Sequence, residues 1–312
     1  MSLTSDGWNM NFYRGDSSCV RNGIAHAYVT VRYDIRVLRR TFEELADSAT
    51  LDPTTRTLRI TIPTTLSLSG SASYIEISTV YFRAGYTPSD YPTSKHFETR
   101  FTIERSRAIK CPTIPLQLAG GKKVQEFLSR PGVVEQFVDE ANAKELRSTW
   151  MRMWSLDDPN PPIPVADSAI SQSISEPKGT TLARTLADSL VLKPQREGGG
   201  NNIYKQDIPL FLETLPEQER AAWIAMELIV PPRGIESYLV RAGSESGGEG
   251  KTVRAETVSE LGIFGWSLFS RETDVHERGD VGWLVRTKGV ESNEGGVAAG
   301  FSVLDSVVLV DG

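Results

Sequence analysis

The most constraining feature of the chain is a short apolar run that stops at a proline and leads into three consecutive glycines. Residues Leu190–Leu192 are apolar and predict a buried strand that ends at Pro194. Gly198–Gly200 allow the backbone to turn tightly and to approach a ligand with no Cβ in the way. The stretch therefore predicts a strand followed by a glycine-rich loop.

Charged and polar side chains surround these glycines. Lys193 and Arg196 supply positive charge, and Glu197 is the single carboxylate among them. The amides of Asn201–Asn202 and the phenol of Tyr204 close the run. A strand, cations, a carboxylate and a glycine loop are what a protein needs to hold a polyphosphate and its metal ion. A solvated flexible loop is the alternative, because Gly and Asn are also common turn residues.

Length and charge limit the class of protein. The 312 residues suggest about two domains, and the net charge of −6 argues against nucleic-acid binding through the bulk field. No apolar run is long enough to span a bilayer, and the first twenty residues lack a secretory signal pattern. Cys19 and Cys111 are too few for a disulfide framework or a zinc site. We therefore expect a cytoplasmic protein with no membrane partner.

The first part of the chain alternates strand and helix patterns. Met1–Asn22 is polar and without period, so we expect little order there. Thr41 and Glu44 form a capping-box signature before an apolar helix pattern. Ile75–Phe82 predicts one strand, and the alternation predicts a parallel α/β sheet. The segment Arg83–Tyr91 would then follow a strand at the sheet edge where ligands bind, although a surface turn is the alternative.

The later patterns are more varied. Lys122 opens a predicted helix, where a cation makes sense if lysine and helix both face one phosphate. Ser129–Trp154 is expected to be mostly helical. Ala221–Val230 predicts a strand, which could either lie against a purine ring or be an ordinary core strand. Val258–Trp266 predicts a strand bearing Glu260. Val281–Val285 predicts another, with cations after its end.

These residues together resemble the eukaryotic glutathione synthetase family over roughly residues 35–306. The matching motifs, in order, are Tyr81–Tyr86, Glu104–Ser106, Lys110–Pro112, Gln117–Lys123, Lys193–Tyr204, Ser259–Gly265, Arg286–Lys288 and Gly295–Gly300. The resemblance implies an α/β, incomplete ATP-grasp fold with a parallel, flavodoxin-like substrate-binding domain. We expect residues 1–26 to be atypical and disordered, 27–120 to be that substrate-binding domain, and 121–312 to be the ATP-grasp domain with loops 193–204 and 295–300.

The resemblance also implies a reaction and its residues. ATP, γ-glutamylcysteine and glycine would give glutathione, ADP and phosphate through an acyl phosphate. Glu197 would bind Mg²⁺, and Arg286 and Lys193 would be catalytic. ATP contacts would come from Lys122, Lys193, Pro194, Gln195, Arg196, Glu197, Gly198, Gly199, Gly200, Asn201, Asn202, Tyr204, Met226, Glu227, Leu228, Ile229, Glu260, Lys288 and Glu294. Peptide-substrate contacts would come from Arg83, Ala84, Gly85, Tyr86, Arg286, Val297 and Ala298.

One departure from the family lies at the front of the chain. Family members are considerably longer, and their N-terminal part supplies further magnesium ligands, γ-glutamyl contacts and much of a homodimer interface. Residues 1–32 contain no replacement for these motifs. The sequence therefore leaves two readings open: a glutathione synthetase, or a truncated nucleotide-binding remnant with an incomplete magnesium site. We expect little or no ligase activity from this chain alone.

Overall fold

The computed structural model describes residues 8–12, 35–62, 73–161, 176–195, 200–241, 251–270, 275–292 and 302–306. The chain divides into two compact units. The first comprises Met1–Glu197 and Ile203–Met226, and the second comprises Gly198–Asn202 and Glu227–Gly312. The boundary predicted near residue 120 falls inside the first unit, and the division into functional domains at that residue stays a prediction.

Two sheets of the first unit form its N-terminal part. The strands are β1 (Trp8–Phe12), β2 (Arg36–Arg40), β3 (Ala49–Leu51), β4 (Leu58–Ile62), β5 (Ser73–Ile77), β6 (Thr79–Tyr81) and β7 (Ile109–Cys111). One sheet has the order β2-β1-β6-β7 with every pairing parallel, and the other is the antiparallel β3-β4-β5. The predicted parallel α/β sheet is therefore confirmed.

The helices of the first unit are short. They are α1 (Phe42–Ser48), α2 (Ser94–Arg105), α3 (Ile114–Ala119), α4 (Lys122–Ser129), α5 (Glu140–Ser148), α6 (Lys178–Thr185) and α7 (Asp207–Thr214). The predicted capping box of α1 is confirmed, because the Thr41 hydroxyl accepts from the Glu44 N–H and the Glu44 carboxylate accepts from the Thr41 N–H. Phe42 and Leu45 of α1 pack into one buried core with Val80 and Ile103.

Two expectations about this N-terminal part are wrong. Residues Trp8–Phe12 are ordered as β1, between β2 and β6, and their alternation of apolar side chains with Asn9 and Asn11 was the missed strand signal. Ile75–Phe82 is not one strand. A bend at Ser78 separates β5 from β6, and the two strands belong to different sheets.

The prediction of a mostly helical Ser129–Trp154 is also wrong. A 3₁₀ turn at Val134–Gln136 and the helix α5 are followed by the strand β8 (Met153–Ser155). Phe137 and Leu146 are 73% and 41% exposed. The apolar spacing suited a helix, but Met153–Ser155 extends along the edge of a sheet and pairs with another strand.

That sheet completes the first unit. It contains β8, β9 (Leu190–Pro194), β10 (Ile203–Tyr204) and β11 (Trp223–Glu227) in the order β10-β9-β11-β8. The predicted strand ending at Pro194 is confirmed as β9. A second buried core forms here from Trp154, Leu182 of α6, Leu192 and Ile208 of α7.

The second unit is a single antiparallel sheet in its described part. Its strands are β12 (Glu236–Arg241), β13 (Lys251–Phe269), β14 (Val275–Gly289) and β15 (Val303–Asp305), in that order. The strand predicted at Val258–Trp266 is confirmed. Arg286 and Lys288 lie inside β14 rather than after its end, because β14 continues to Gly289. Among the described helices of the whole chain, none has the length and apolar character needed to cross a membrane.

Candidate functional site

The glycine-rich loop connects two antiparallel strands. Leu192 of β9 pairs with Ile203 of β10, and Val191 pairs with Tyr204, so the chain folds back on itself after Pro194. Gly200 has φ +84°, in the left-handed region that favours glycine. The predicted contacts Arg196, Glu197, Gly198 and Gly199 lie outside the described residues. Asn201, Asn202 and Tyr204 are half-buried at the return of the loop.

Gln195 attaches the start of this loop to a helix N-terminus. Its Oε1 accepts from the backbone N–H of Lys123 at 2.9 Å, and its Nε2 donates to the carbonyl of Ala222 at 3.5 Å. The helix α4 begins at Lys122, as the sequence predicted, and the Lys122 Nζ donates to the Gln125 Oε1 at 2.7 Å. Two predicted ATP contacts, Lys122 and Gln195, are therefore brought together although they are distant in sequence.

A lysine–serine–aspartate cluster beside this helix was not predicted. The Lys123 Nζ donates to the Ser155 Oγ at 2.6 Å and lies 3.4 Å from the Asp157 Oδ1. Burial alone would raise the pKa of Asp157. The hydrogen bond from Ser155 and the charge of Lys123 outweigh burial and lower that pKa below its usual value. Nothing in the spacing of these residues indicates the cluster.

Further described nucleotide candidates lie at the ends of two neighbouring strands. Lys193 and Pro194 are the last residues of β9, and β11, beside it, carries Met226 and Glu227 at its carboxyl end. Met226 pairs with Met153 of β8 and is half-buried. Leu228 and Ile229 continue directly after β11, with Ile229 exposed.

The predicted peptide-binding loop follows β6. Gly85 has φ +82°, and its carbonyl accepts from the Tyr91 hydroxyl at 3.2 Å and from the Gln117 amide. The Tyr86 N–H donates to the Asp90 carboxylate at 2.9 Å. Arg83 is exposed, with its guanidinium 6.0 Å from the Tyr81 ring centroid. The loop is therefore held in one shape by its own hydrogen bonds.

Ala84 faces away from solvent within this loop. Its side chain belongs to the buried core that contains Phe42 and Phe82. The peptide contact predicted at Ala84 stays a prediction, and its methyl group is packed in the core.

A buried arginine lies behind the loop and was not singled out from the sequence. Arg100 of α2 is 3% exposed, and its guanidinium lies 3.6 Å from the Phe82 ring centroid. Its Nη2 donates to the Pro112 carbonyl at 3.2 Å. Burial lowers the pKa of Arg100, while nearby Tyr91 and Glu104 act in the opposite direction. The sequence signal was weak, because arginine in a helix is usually exposed.

Three predicted site residues of the second unit share one face of its sheet. Glu260 of β13 lies directly opposite Arg286 of β14, and Lys288 follows two residues later on the same side. The Arg286 guanidinium donates to the Glu260 carboxylate. The orientation of Glu260, open at the level of sequence, is therefore toward Arg286.

The remaining predicted contacts lie outside the described residues. They are Glu294, Val297 and Ala298. In the ranges that the structure does describe, no group of three or more His, Cys, Asp or Glu side chains is placed to hold a metal ion. Glu197, the predicted magnesium ligand, lies outside the described residues.

Comparison with known proteins decides the family. The model of the eukaryotic glutathione synthase ATP-binding domain matches residues 17–309. This chain belongs to the eukaryotic glutathione synthase family. The resemblance seen in the sequence motifs is thereby confirmed.

Glutathione synthetases are also the named relatives. The chain is 41% identical to the human glutathione synthetase over 277 residues, covering 88% of this chain and 51% of the human protein. It is 38% identical to the chloroplastic glutathione synthetase of Arabidopsis thaliana over 284 residues, covering 89% of this chain and 45% of that protein. The chain thus spans about half the length of these glutathione synthetases.

A solved structure supports the fold. The chain resembles a glutathione synthetase-like effector from Globodera pallida in its apo form, with a TM-score of 0.63 and 20% identity. The likeness covers 99% of this chain and 58% of the effector. The mixed α/β architecture is consistent with the ATP-grasp-type fold expected of a glutathione synthase, which confirms the predicted fold class.

Proposed function

We propose that this chain provides the nucleotide-binding part, and part of the peptide-binding part, of an ATP-dependent ligase of the glutathione synthase type. The observation that carries the proposal is the β9–β10 hairpin. Lys193 and Pro194 end β9, and Gln195 directly after them hydrogen-bonds to the N-terminus of α4, which begins at Lys122. Lysine charge, backbone N–H groups at a helix start and a glycine loop are together suited to a polyphosphate.

The proposed nucleotide contacts divide by chemistry. Lys122 and Lys193 serve the phosphates, because cations stabilise the charge that spreads over the transferring group. Met226 and the backbone through Ile229 serve the adenine ring. Glu260, Lys288 and Glu294 complete the ATP contacts. We propose Glu197 as a ligand for Mg²⁺, since carboxylates and phosphate oxygens are the ligands this ion usually takes.

The proposed reaction has two steps. The cysteinyl carboxylate of γ-glutamylcysteine attacks the γ-phosphorus of ATP, which forms an acyl phosphate and releases ADP. The amine of glycine then attacks the acyl carbon, forms the peptide bond and releases phosphate and a proton. Arg286 and Lys193 lower the repulsion between the two anionic reactants. Exclusion of water matters because water would hydrolyse the acyl phosphate.

The peptide substrate is assigned to two segments. Arg83, Gly85 and Tyr86 form one wall, supported by the internal hydrogen bonds of their loop. Val297 and Ala298 would supply the other contacts. The homodimeric state and the cytoplasmic location remain predictions, and the relatives include a chloroplastic protein.

Nucleotide binding without ligation is the second candidate function of this 312-residue chain. It is favoured by the assigned donor set, in which Glu197 is the one acid assigned to the metal. One carboxylate is the lower limit of the one or two that Mg²⁺ usually takes alongside phosphate oxygens.

A turnover assay with the purified chain tests both candidates. Glutathione is measured by mass spectrometry and phosphate by release, with ATP, Mg²⁺, γ-glutamylcysteine and glycine present, and with each substrate omitted in turn. Product that requires all three substrates supports the ligase. ATP binding with no glutathione supports nucleotide binding alone. A chain that neither binds ATP nor forms product contradicts both.

A further inference from the structure

Three side chains form a line of hydrogen bonds across the sheet of the second unit. The Thr287 hydroxyl on β14 donates to the Asp305 Oδ2 on β15 at 2.7 Å. The Ser259 and Thr287 hydroxyl oxygens, on β13 and β14, are 2.8 Å apart. We call this line the Ser259–Thr287–Asp305 relay. It spans three strands with side chains alone.

The direction of the relay follows from proton counting. Thr287 has one hydroxyl proton and gives it to Asp305, so Ser259 must donate to the Thr287 oxygen. The other Asp305 oxygen accepts from the Ser306 N–H at 2.8 Å. Thr287 is only 2% exposed, so little water competes for its hydroxyl. The hydrogen bonds from Thr287 and Ser306 also lower the pKa of Asp305, which keeps its carboxylate ionised.

Each member of the relay is next in sequence to a residue on the opposite face of the sheet. Successive side chains of a strand point to opposite faces. Thr287 therefore lies between Arg286 and Lys288, which project from the other side, and Ser259 precedes Glu260. The relay lies directly behind Glu260, Arg286 and Lys288.

The relay also helps to fix the register of β15 against β14. β15 is three residues long and, among the described residues, pairs with residues 285–287 of β14. A slip of one residue would move every side chain of a strand to the other face. Backbone pairing over three residues specifies register poorly, whereas a buried hydroxyl aimed at one carboxylate specifies it well.

We propose that Thr287 and Asp305 are positioning residues, which hold β14 in the register that keeps Arg286 and Lys288 on one face of the sheet with Glu260. The inference rests on the proposed function of Arg286 and Lys288. Thr287 and Asp305 are not among the proposed ligand contacts. They act through the strand that carries the charged side chains.

The test measures the ATP affinity of the whole chain by calorimetry. Thr287→Val keeps the shape and removes the hydroxyl, and it weakens ATP binding about tenfold, as expected for a lost hydrogen bond to a charged group. Thr287→Ser restores the hydroxyl and binds within about twofold of wild type. Thr252→Val, the same change at an exposed position of β13, leaves the affinity unchanged. Equal affinity of Thr287→Val and wild type overturns the proposal.

A double-mutant cycle separates positioning from general destabilisation. If Thr287 acts through Lys288, then Thr287→Val has little further effect in a chain that already carries Lys288→Ala. Fully additive losses overturn the role. Hydrogen exchange supplies a ligand-free measure. Faster exchange at residues 284–289 in Thr287→Val and Asp305→Asn supports the relay, and unchanged exchange overturns it. A wild-type chain that binds no ATP overturns the proposed function. In that case the hydrogen-exchange measurement still tests the relay by itself.

Discussion

Replacement of Gly85 by alanine is the most informative perturbation of the peptide-binding loop. Gly85 has φ +82°, and a Cβ built on it would lie 2.6 Å from the Tyr91 Oη and 3.0 Å from the Phe42 ring. Tyr91 cannot move aside freely, because its ring packs against Phe42 with centroids 5.2 Å apart and stacks on Phe97 at 4.8 Å. The alanine methyl group therefore displaces a ring that is held on two sides.

Two separate costs contribute to the expected loss of stability. A left-handed backbone costs a residue with a Cβ about 1–2 kcal/mol relative to glycine. Displacing Tyr91 also breaks the 3.2 Å hydrogen bond from its hydroxyl to the Gly85 carbonyl, at about 1 kcal/mol. We expect Gly85→Ala to reduce the free energy of unfolding of the first unit by about 3 kcal/mol.

Gly132 provides a matched control. It has φ +79°, but no atom lies within 4 Å of a built Cβ, so Gly132→Ala carries the backbone cost alone. Urea unfolding followed by hydrogen exchange of peptides within 42–105 measures Gly85→Ala, and peptides around 132 measure the control. A second check combines Gly85→Ala with Tyr91→Phe, which removes the crowded oxygen and lowers the added cost of alanine. Equal losses for the two alanine variants would refute the reasoning.

Three further predictions concern the helix cap, a buried hydrogen bond and pH. Thr41→Ala removes the hydroxyl that accepts from the Glu44 N–H and lowers the unfolding free energy by about 1 kcal/mol in urea, whereas Thr41→Ser retains it. Trp154→Phe leaves the Gly179 carbonyl without its 2.9 Å indole donor and lowers the melting temperature, at a cost of about 2 kcal/mol. The pKa of Asp305 is lowered on folding, so its contribution is present above its usual value of 3.8 and is lost as pH falls below it. When unfolding is measured across that pH range, Asp305→Asn should therefore lose less stability on acidification than the wild-type chain. An equal loss of stability in both chains would count against this prediction.

Features decided by neighbouring residues could be predicted from the sequence. The capping box of α1 depends on Thr41 and Glu44, three positions apart, and it forms as expected. The end of β9 depends on Pro194, which closes an apolar run, and the strand stops there. In both cases the interacting groups belong to one local segment, so residue propensity and spacing are enough to predict the feature.

Features decided by distant partners could not be predicted in this way. Ile75–Phe82 is a run of strand-forming residues, and its sequence does not indicate that the two halves join different sheets. Likewise, the extension of β14 through Arg286 and Lys288 depends on β13 and β15 lying beside it. Packing across the sheet determines which strands pair, and the sequence of one strand does not identify its partners.

The same distinction between local and distant contacts applies to the candidate site. Resemblance to a family selected Lys122 and Gln195 separately, but their proximity depends on a hydrogen bond that joins residues 72 positions apart. The Thr287–Asp305 bond was not expected either, because threonine in a strand is usually explained by β-propensity. The roles of Glu197 and Glu294 stay predictions, since both residues lie outside the described ranges.

The central claim is that the chain binds ATP through the loop that begins at Lys193. Calorimetric titration of ATP into the wild-type chain, Lys193→Ala and Lys144→Ala tests it most directly. Lys144 is an exposed lysine of α5 with no assigned role. We expect saturable binding to wild type, unchanged binding to Lys144→Ala, and binding weakened at least about tenfold in Lys193→Ala, because a charge-assisted contact to phosphate is lost. Wild-type and Lys193→Ala chains that bind ATP equally, or a wild-type chain that does not bind it, would contradict the account.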